Sequence, residues 1–303
     1  LTIISVCFAA LCLLLYLILH ISSSVPLSET IGHSTNKDFA ASELTIRVNT
    51  FRRNDQLELF LDYYAGYKNM HECAFIKEVQ VIWSDPENTP PTTWLEEENK
   101  YVKDKVYFEV HTKNSLNNRF LPLTKESVKT HAVLSIDDDL IIPCNVLRDN
   151  LRVWESYDKA LVGWSPRMHG YDTELHNMKY LKWQHTWWSG MYSIMLTKAS
   201  FIHRDYLGDA FLKETPGLFL EHVDDLKNCE ALAMAHTVAS LSEAPPVWIS
   251  GDVYETGEQG ISSGKNHFRT RGICLEQLRD MSGILPYVTS YQKMVPLSQF
   301  SLF

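Results

Sequence analysis

Three consecutive carboxylates, Asp137, Asp138 and Asp139, follow the apolar run Ala132-Val-Leu-Ser-Ile136 and precede Leu140-Ile-Ile-Pro143. Negative charge packed this closely against hydrophobic flanks is unfavourable unless a divalent cation, hydrogen bonds or water compensate it. Hard oxygen donors of this kind suit Mn²⁺, with Mg²⁺ also able to serve; such ions take few protein carboxylates and complete their shell with water and substrate phosphates. Acidic triplets also occur in solvated loops and Ca²⁺ sites, so position decides. At the carboxyl end of a strand in an open α/β sheet, the triplet stands where such folds collect ligands.

The surrounding elements must deliver it there. Residues 44–51 read as a strand, 55–67 as an amphipathic helix, 78–83 and 105–110 as alternating strands, 86–91 as a loop, 132–136 as the strand before the triplet, and 145–157 as a helix. Strands alternating with helices predict a mostly parallel sheet. Residues 160–250 mix aromatic strands with a helix near 229–240, and no internal repeat is present.

The 303 residues, 45% hydrophobic and 21% charged, suffice for one large core or two modest ones. Residues 1–21 are almost unbroken apolar sequence and read as a membrane span, with a cleaved signal peptide as the rival reading. Residues 22–43, rich in Ser and Thr, read as a stem, and residues 44–303 as the folded domain. A net charge of −9 without a dense basic run argues against nucleic acid as a partner. Cys7 and Cys12 fall in the span, which leaves Cys73, Cys144, Cys229 and Cys274. Four such cysteines are compatible with two disulfides, in any of three pairings, in an oxidising compartment; four reduced buried thiols are the other reading.

Several ordered blocks go further: Val48-Asn-Thr-Phe-Arg-Arg-Asn-Asp55, Val81-Ile-Trp-Ser-Asp85, Asn114-Ser-Leu-Asn-Asn-Arg-Phe120, Ser135-Ile-Asp-Asp-Asp139, Trp187-Trp-Ser-Gly-Met-Tyr-Ser193, Asn228-Cys-Glu230 and Gly260-Ile-Ser-Ser263. Through them, residues 44–298 resemble the exostosin-type glycosyltransferase domain of glycosyltransferase family 64. The resemblance is to its plant-like branch, which includes mannosyltransferases acting on inositol phosphorylceramide sphingolipids. It implies a GT-A fold, meaning a Rossmann-like nucleotide-sugar-binding α/β sheet with helices on both faces. It also implies single-pass type II topology, a lumenal domain in the Golgi membrane, and a reaction that retains anomeric configuration. A homodimer is compatible with it.

The resemblance assigns roles residue by residue. Thr50 and Arg53 match the nucleotide-binding end of the first strand, and Asn114, Asn118 and Arg119 the donor-contacting segment. Asp139 matches the metal ligand, with Asp137 and Asp138 holding ribose, sugar hydroxyls or metal-bound water. Trp187 and Trp188 suit stacking on an acceptor sugar, although at least one of them is expected in the core. Cys229 and Cys274 match a family disulfide; Cys73 and Cys144 are the other expected disulfide cysteines, and the sequence does not prove that they pair with each other. Arg271 matches an arginine near the diphosphate.

One departure matters. The family pattern after Asn-Cys is an acid followed by Asp, the second acid being catalytic, whereas this chain reads Asn228-Cys-Glu-Ala231. Alanine can neither stabilise a positive anomeric carbon nor act as a nucleophile. Either Glu230 takes over, or Asp224 or Asp225 swings in, or donor binds without efficient transfer. Glu230 and Arg271 are the catalytic candidates. The expected function is a hexosyltransferase passing mannose from GDP-mannose to a glycan or sphingolipid-type acceptor. The alternatives are a UDP-N-acetylhexosamine donor, a non-catalytic donor-binding protein, and an unrelated Ca²⁺-dependent lumenal module.

Overall fold

The alternation Leu44-Thr-Ile-Arg-Val-Asn-Thr50 forms strand β1 (Leu44–Thr50) of the computed structural model, which describes residues 43–96, 100–257 and 267–295. Leu44, Ile46 and Val48 enter one apolar core, while Thr45 and Arg47 are buried on the opposite face, as a period of two requires. β1 lies parallel to β2 (Ile76–Trp83) and β4 (Ala132–Asp137), and β2 lies parallel to β3 (Val106–Val110). The remaining strands are β5 (Leu140–Ile141), β6 (Val162–Gly163), β7 (Pro166–Asp172), β8 (Asn177–Leu181), β9 (Ile194–Met195), β10 (Ala199–His203), β11 (Val247–Ile249), β12 (Tyr254–Glu255) and β13 (Lys293–Met294).

The main sheet has eight strands in the order β13-β11-β6-β10-β4-β1-β2-β3. From β1 the chain runs outward through β2 and β3, then returns to place β4 on the other side of β1. That reversal opens a crevice between the carboxyl ends of β1 and β4, the switch point at which open α/β sheets bind ligands. The expectation of a mostly parallel sheet holds for β1 to β4; β10 runs antiparallel to both β4 and β6, and β7, β8 and β9 form a separate antiparallel sheet.

Helices α1 (Asn54–Tyr64) and α2 (Cys144–Glu155) bury Leu57, Phe60, Leu61, Leu147 and Leu151 against the first face. After the short α3 (Trp183–Ser189), helices α4 (Asp209–Glu214), α5 (Gly217–Leu226), α6 (Glu230–Ser242) and α7 (His267–Ser282) build a second core around Phe211, Phe219, Leu232 and Leu275. The result is a mixed α/β architecture with helices on both faces of the sheet, which fits a GT-A-like fold. The helix expected over 55–67 stops at Tyr64, and Gly66 beyond it has extended backbone and lies so close to Asp62 that a Cβ there would meet its carbonyl oxygen at 2.4 Å. β2 to β3 and β3 to β4 are connected by 3₁₀ turns, Thr92–Glu96 and Leu116–Phe120 among them.

Two disulfides close, Cys73 with Cys144 and Cys229 with Cys274, at Cα separations of 5.3 and 6.4 Å. The first joins the approach to β2 to the start of α2; the second joins the start of α6 to α7. The expected span at 1–21 and all but the end of the expected stem lie outside the described residues. Among the described residues no helix is long and apolar enough to cross a membrane.

Candidate active site

β4 ends at Asp137, and Asp138 and Asp139 form the turn into β5 at the switch point. Thr50, the last residue of β1, donates its hydroxyl to Asp138 Oδ2 at 2.8 Å. Arg53, at the N-cap of α1, donates Nη1 to Asp138 Oδ1 at 2.6 Å and Nη2 to Asp139 Oδ2 at 3.1 Å. Arg119 donates Nη2 to Asp137 Oδ1 at 2.8 Å. Thr50, Arg53, Arg119 and the three carboxylates, distant in sequence, thus meet at one place. Burial pushes the Asp138 carboxyl up to about 6, against the pull of Thr50 and Arg53, and its acidic neighbours add to the rise. Burial also raises Asp137, opposed by Arg119.

The Asn114–Phe120 segment is held by Arg47, which sequence reasoning did not single out, and by Asp224, which it named only as a possible stand-in for the missing acid. Arg47, fully buried in β1, donates Nε to the Arg119 carbonyl at 3.1 Å and pairs with Glu109 of β3 at 2.8 Å. Asp224 accepts from Lys113, Ser115 and Asn117. Asn118 donates its amide to Ser84 Oγ at 3.0 Å and to the Lys113 carbonyl at 2.8 Å, so its N–H groups fasten the segment to the end of β2. Asn114 is half-buried, and its carbonyl accepts from Lys227. The available signal for Arg47 was a lone charge inside a strand whose alternate residues are apolar. Such a residue is either exposed or paired, and its pairing partner lies 62 residues away.

The acidic tract after Asn228 forms a tight turn. Cys229 has a φ of 77° and begins α6 while disulfide-bonded to α7. Arg271 of α7 donates Nε to Asn228 Oδ1 at 3.1 Å and Nη1 to the Tyr180 hydroxyl at 2.9 Å. Arg271 thus ties the turn that precedes Glu230 to Tyr180 of β8. Glu230 is half-buried, and its charge acts on Arg119 and Asp137. Ala231 is buried in the second core. Asp224 is bound into the Asn114–Phe120 clamp, while Asp225 is exposed on α5.

An open cleft of about 730 Å³ adjoins the cluster, lined by Arg52, Arg53, Trp83, Asp85, Asn88 and Gly257 among others. Gly257 packs so closely that a Cβ there would lie 2.7 Å from Asp139 Cβ. Trp187 and Trp188 on α3 are 50% and 83% exposed, so both rings are open to a ligand. This corrects the expectation that one of them is buried: Thr186 is the buried residue of that seven-residue helix. The Gly260-Ile-Ser-Ser263 block lies outside the described residues.

The donor set fits a divalent cation completed by substrate. Asp137, Asp138, Asp139 and Glu230 face two guanidinium groups, which leaves negative charge uncompensated. Asp138 has both oxygens committed, whereas Asp139 is 23% exposed by side chain and engages Arg53 through one oxygen. Among the described residues no group of three or more acidic, His or Cys side chains could by itself hold a metal ion. One or two carboxylates plus a diphosphate and water is the arrangement Mn²⁺ and Mg²⁺ adopt.

Residues 44–300 match the profile of the glycosyl transferase family 64 domain. Over 263 residues, 83% of this chain and 75% of the relative, the sequence is 34% identical to glycosylinositol phosphorylceramide mannosyl transferase 1 of Arabidopsis thaliana. Over 255 residues it is 30% identical to glucosamine inositolphosphorylceramide transferase 1 of the same plant, covering 80% of this chain and 31% of the relative. It is 29% identical over 219 residues to exostosin-2 of Mus musculus, covering 70% of this chain and 29% of that protein. The chain therefore spans most of the first relative and under a third of the other two.

Proposed function

The chain belongs to glycosyltransferase family 64 and is a hexosyltransferase, and within that activity we propose that it transfers mannose from GDP-mannose to a glycan or sphingolipid-type acceptor with Mn²⁺. The observation that carries this reading is the convergence of Thr50, Arg53 and Arg119 with the carboxylate triplet at the switch point of the sheet. The 34% identity to a plant mannosyl transferase supports the choice of sugar. The two disulfides support an oxidising, lumenal setting, and with it a GT-A domain held at the Golgi membrane by the apolar segment 1–21.

Asp139 would be the protein ligand of the cation, with the donor diphosphate and water completing its shell. When bound, the cation neutralises charge building on the departing nucleotide. Arg119 engages one oxygen of Asp137 and Arg53 one oxygen of Asp139, so both carboxylates are held in place. Glu230, at the start of α6, places negative charge where the anomeric carbon becomes positive, which is how a fixed carboxylate lowers an oxocarbenium-like barrier. The acceptor attacks from the face that the diphosphate leaves, and the departing phosphate takes its proton. Retention then needs no protein nucleophile, which makes Ala231 compatible with turnover. Trp187 and Trp188 present rings to the acceptor sugars.

A screen of the full chain in detergent, with and without Mn²⁺, against GDP-mannose and the UDP-N-acetylhexosamines tests the reading through thermal stabilisation and sugar transfer. Mn²⁺-dependent stabilisation and transfer with GDP-mannose are expected. Preference for a UDP-N-acetylhexosamine would move the donor assignment. A second reading, donor binding without transfer, is favoured by Ala231, and stabilisation by donor with no turnover on glycolipid acceptors would establish it. Glu230→Gln is expected to keep donor binding within about twofold and lower turnover by about 100-fold, the scale of removing one electrostatic contact in a transition state.

A further inference from the structure

The nucleotide-sugar reading leaves one selection unassigned, that of the base. The cleft beyond the carboxyl ends of β1 and β2 contains a carboxylate outside the triplet, Asp85, two residues after the end of β2 and only 2% exposed. Its framework partners are local. The Glu87 amide donates to Oδ1 at 3.0 Å, and Asn88 Nδ2 donates to Oδ2 at 2.7 Å. The Trp83 indole N–H donates to the Asn88 carbonyl at 2.8 Å and fixes that loop.

The third group on Asp85 is of another kind. Arg52, whose side chain is 48% exposed, donates Nε to Oδ2 at 2.9 Å and directs Nη2 at Oδ1 from 3.4 Å, while also pairing with the exposed Glu87. Its backbone has a φ of 55°, a conformation uncommon for a residue with a side chain. A guanidinium offering adjacent N–H groups to one carboxylate presents the same donor pattern as the N1–H and 2-amino edge of guanine. Uracil presents a single N–H between two carbonyl oxygens, and an ionised carboxylate, which only accepts, repels both.

We propose that Asp85 reads the base of the nucleotide donor and selects guanine, with Arg52 occupying the base position until the nucleotide displaces it onto Glu87. This deepens the nucleotide-sugar reading and rests on it. The Arg52 hydrogen bond, against the cost of burial and with help from Asn88 and the Glu87 amide, holds the Asp85 carboxyl down at about 2, so it is an acceptor throughout the physiological range. A site built to hydrogen-bond N–H groups discriminates strongly against analogues that lack them, because its own polar groups are then left unpaired.

The test is calorimetric titration of the full chain in detergent with Mn²⁺ present, using guanosine, inosine, xanthosine and uridine diphosphates. Inosine diphosphate, which lacks only the 2-amino group, is expected to bind about tenfold more weakly than guanosine diphosphate, the cost of one hydrogen bond to a charged group. Xanthosine and uridine diphosphates, which bring carbonyl oxygens to Asp85, are expected to be weaker still. Asp85→Asn, whose amide can donate to those carbonyls, is expected to weaken guanosine diphosphate and narrow or invert the gap to xanthosine diphosphate. Equal affinity for the guanine and hypoxanthine nucleotides, or tighter uridine diphosphate binding, would overturn the assignment of Asp85 and leave the nucleotide-sugar reading standing. Binding of none of the four would overturn both. The unsubstituted protein alone decides these outcomes should the variant fail to fold.

Discussion

The three aspartates of the triplet are chemically identical and differ only in their surroundings. Asp138 spends both oxygens on Thr50 and Arg53 inside the fold, so it builds the crevice. Asp139 lies on the open side of the turn, with Gly257 against its Cβ. Asp139→Asn is therefore expected to abolish Mn²⁺-dependent stabilisation by donor while leaving the metal-free melting temperature within a few degrees, since weakening a partly exposed ion pair such as that with Arg53 costs about 1 kcal/mol or less. Gly257→Ala should weaken the Mn²⁺ response in the same direction, because the added methyl must displace the Asp139 side chain. Unchanged Mn²⁺ titrations in both variants would move the metal away from Asp139. The sequence made the triplet visible as a cluster. The resemblance singled out Asp139 as the metal ligand, but the contacts that set it apart from Asp138 were not legible, because they come from Arg53 and Gly257, which approach Asp139 from 86 residues before it and 118 residues after it.

At the scale of elements, β1 works with both of its faces. One joins the apolar core through Leu44, Ile46 and Val48, and the other carries Arg47, whose guanidinium spans Glu109 on β3 and the carbonyl of Arg119. Because Arg119 in turn holds Asp137, a residue of the sheet interior sets the geometry of the site edge. Arg47→Ala removes the guanidinium from Glu109 and leaves it His111 Nε2 at 2.8 Å, so the cost should fall toward the lower end of the about 3–5 kcal/mol of breaking a buried pair. The double variant Arg47→Met/Glu109→Leu removes both charges and should recover most of that stability, as replacement of a buried pair by apolar groups generally does. It should not recover donor affinity, since nothing then anchors the Arg119 carbonyl. Full recovery of both by the double variant would show Arg47 to be purely structural. The strand itself was plain from its alternation, whereas the 3₁₀ segment Leu116–Phe120 was not, being shaped by Arg47 and Asp224 rather than by any period of its own.

At the scale of the whole molecule, one sheet divides two cores, and each core carries its own disulfide. The parallel half of the sheet was legible because four strands announced themselves by alternation and turn residues; the second half was not, because its short strands and antiparallel reversal at β10 depend on tertiary pairing that no local pattern records. The two disulfides then differ in what they constrain. Cys73 and Cys144 close a separation of 71 residues on the face away from Glu230, and Cys229 and Cys274 close one of 45 at the turn that positions it. Loop-closure entropy makes each worth about 4 kcal/mol, so Cys73→Ser/Cys144→Ser and Cys229→Ser/Cys274→Ser should lower the melting temperature to a similar extent. Their functional cost should diverge. Without the second bridge, the side-chain hydrogen bond that holds Asn228 to α7 among the described residues is that of Arg271, and Glu230, whose charge acts on Arg119 and Asp137, is less firmly placed. Turnover measured well below both melting temperatures should fall about tenfold or more in the second variant, as expected when a transition-state contact is misplaced, and stay near the native value in the first. Equal turnover in the two would mean that Arg271 alone suffices to hold the Asn228 turn.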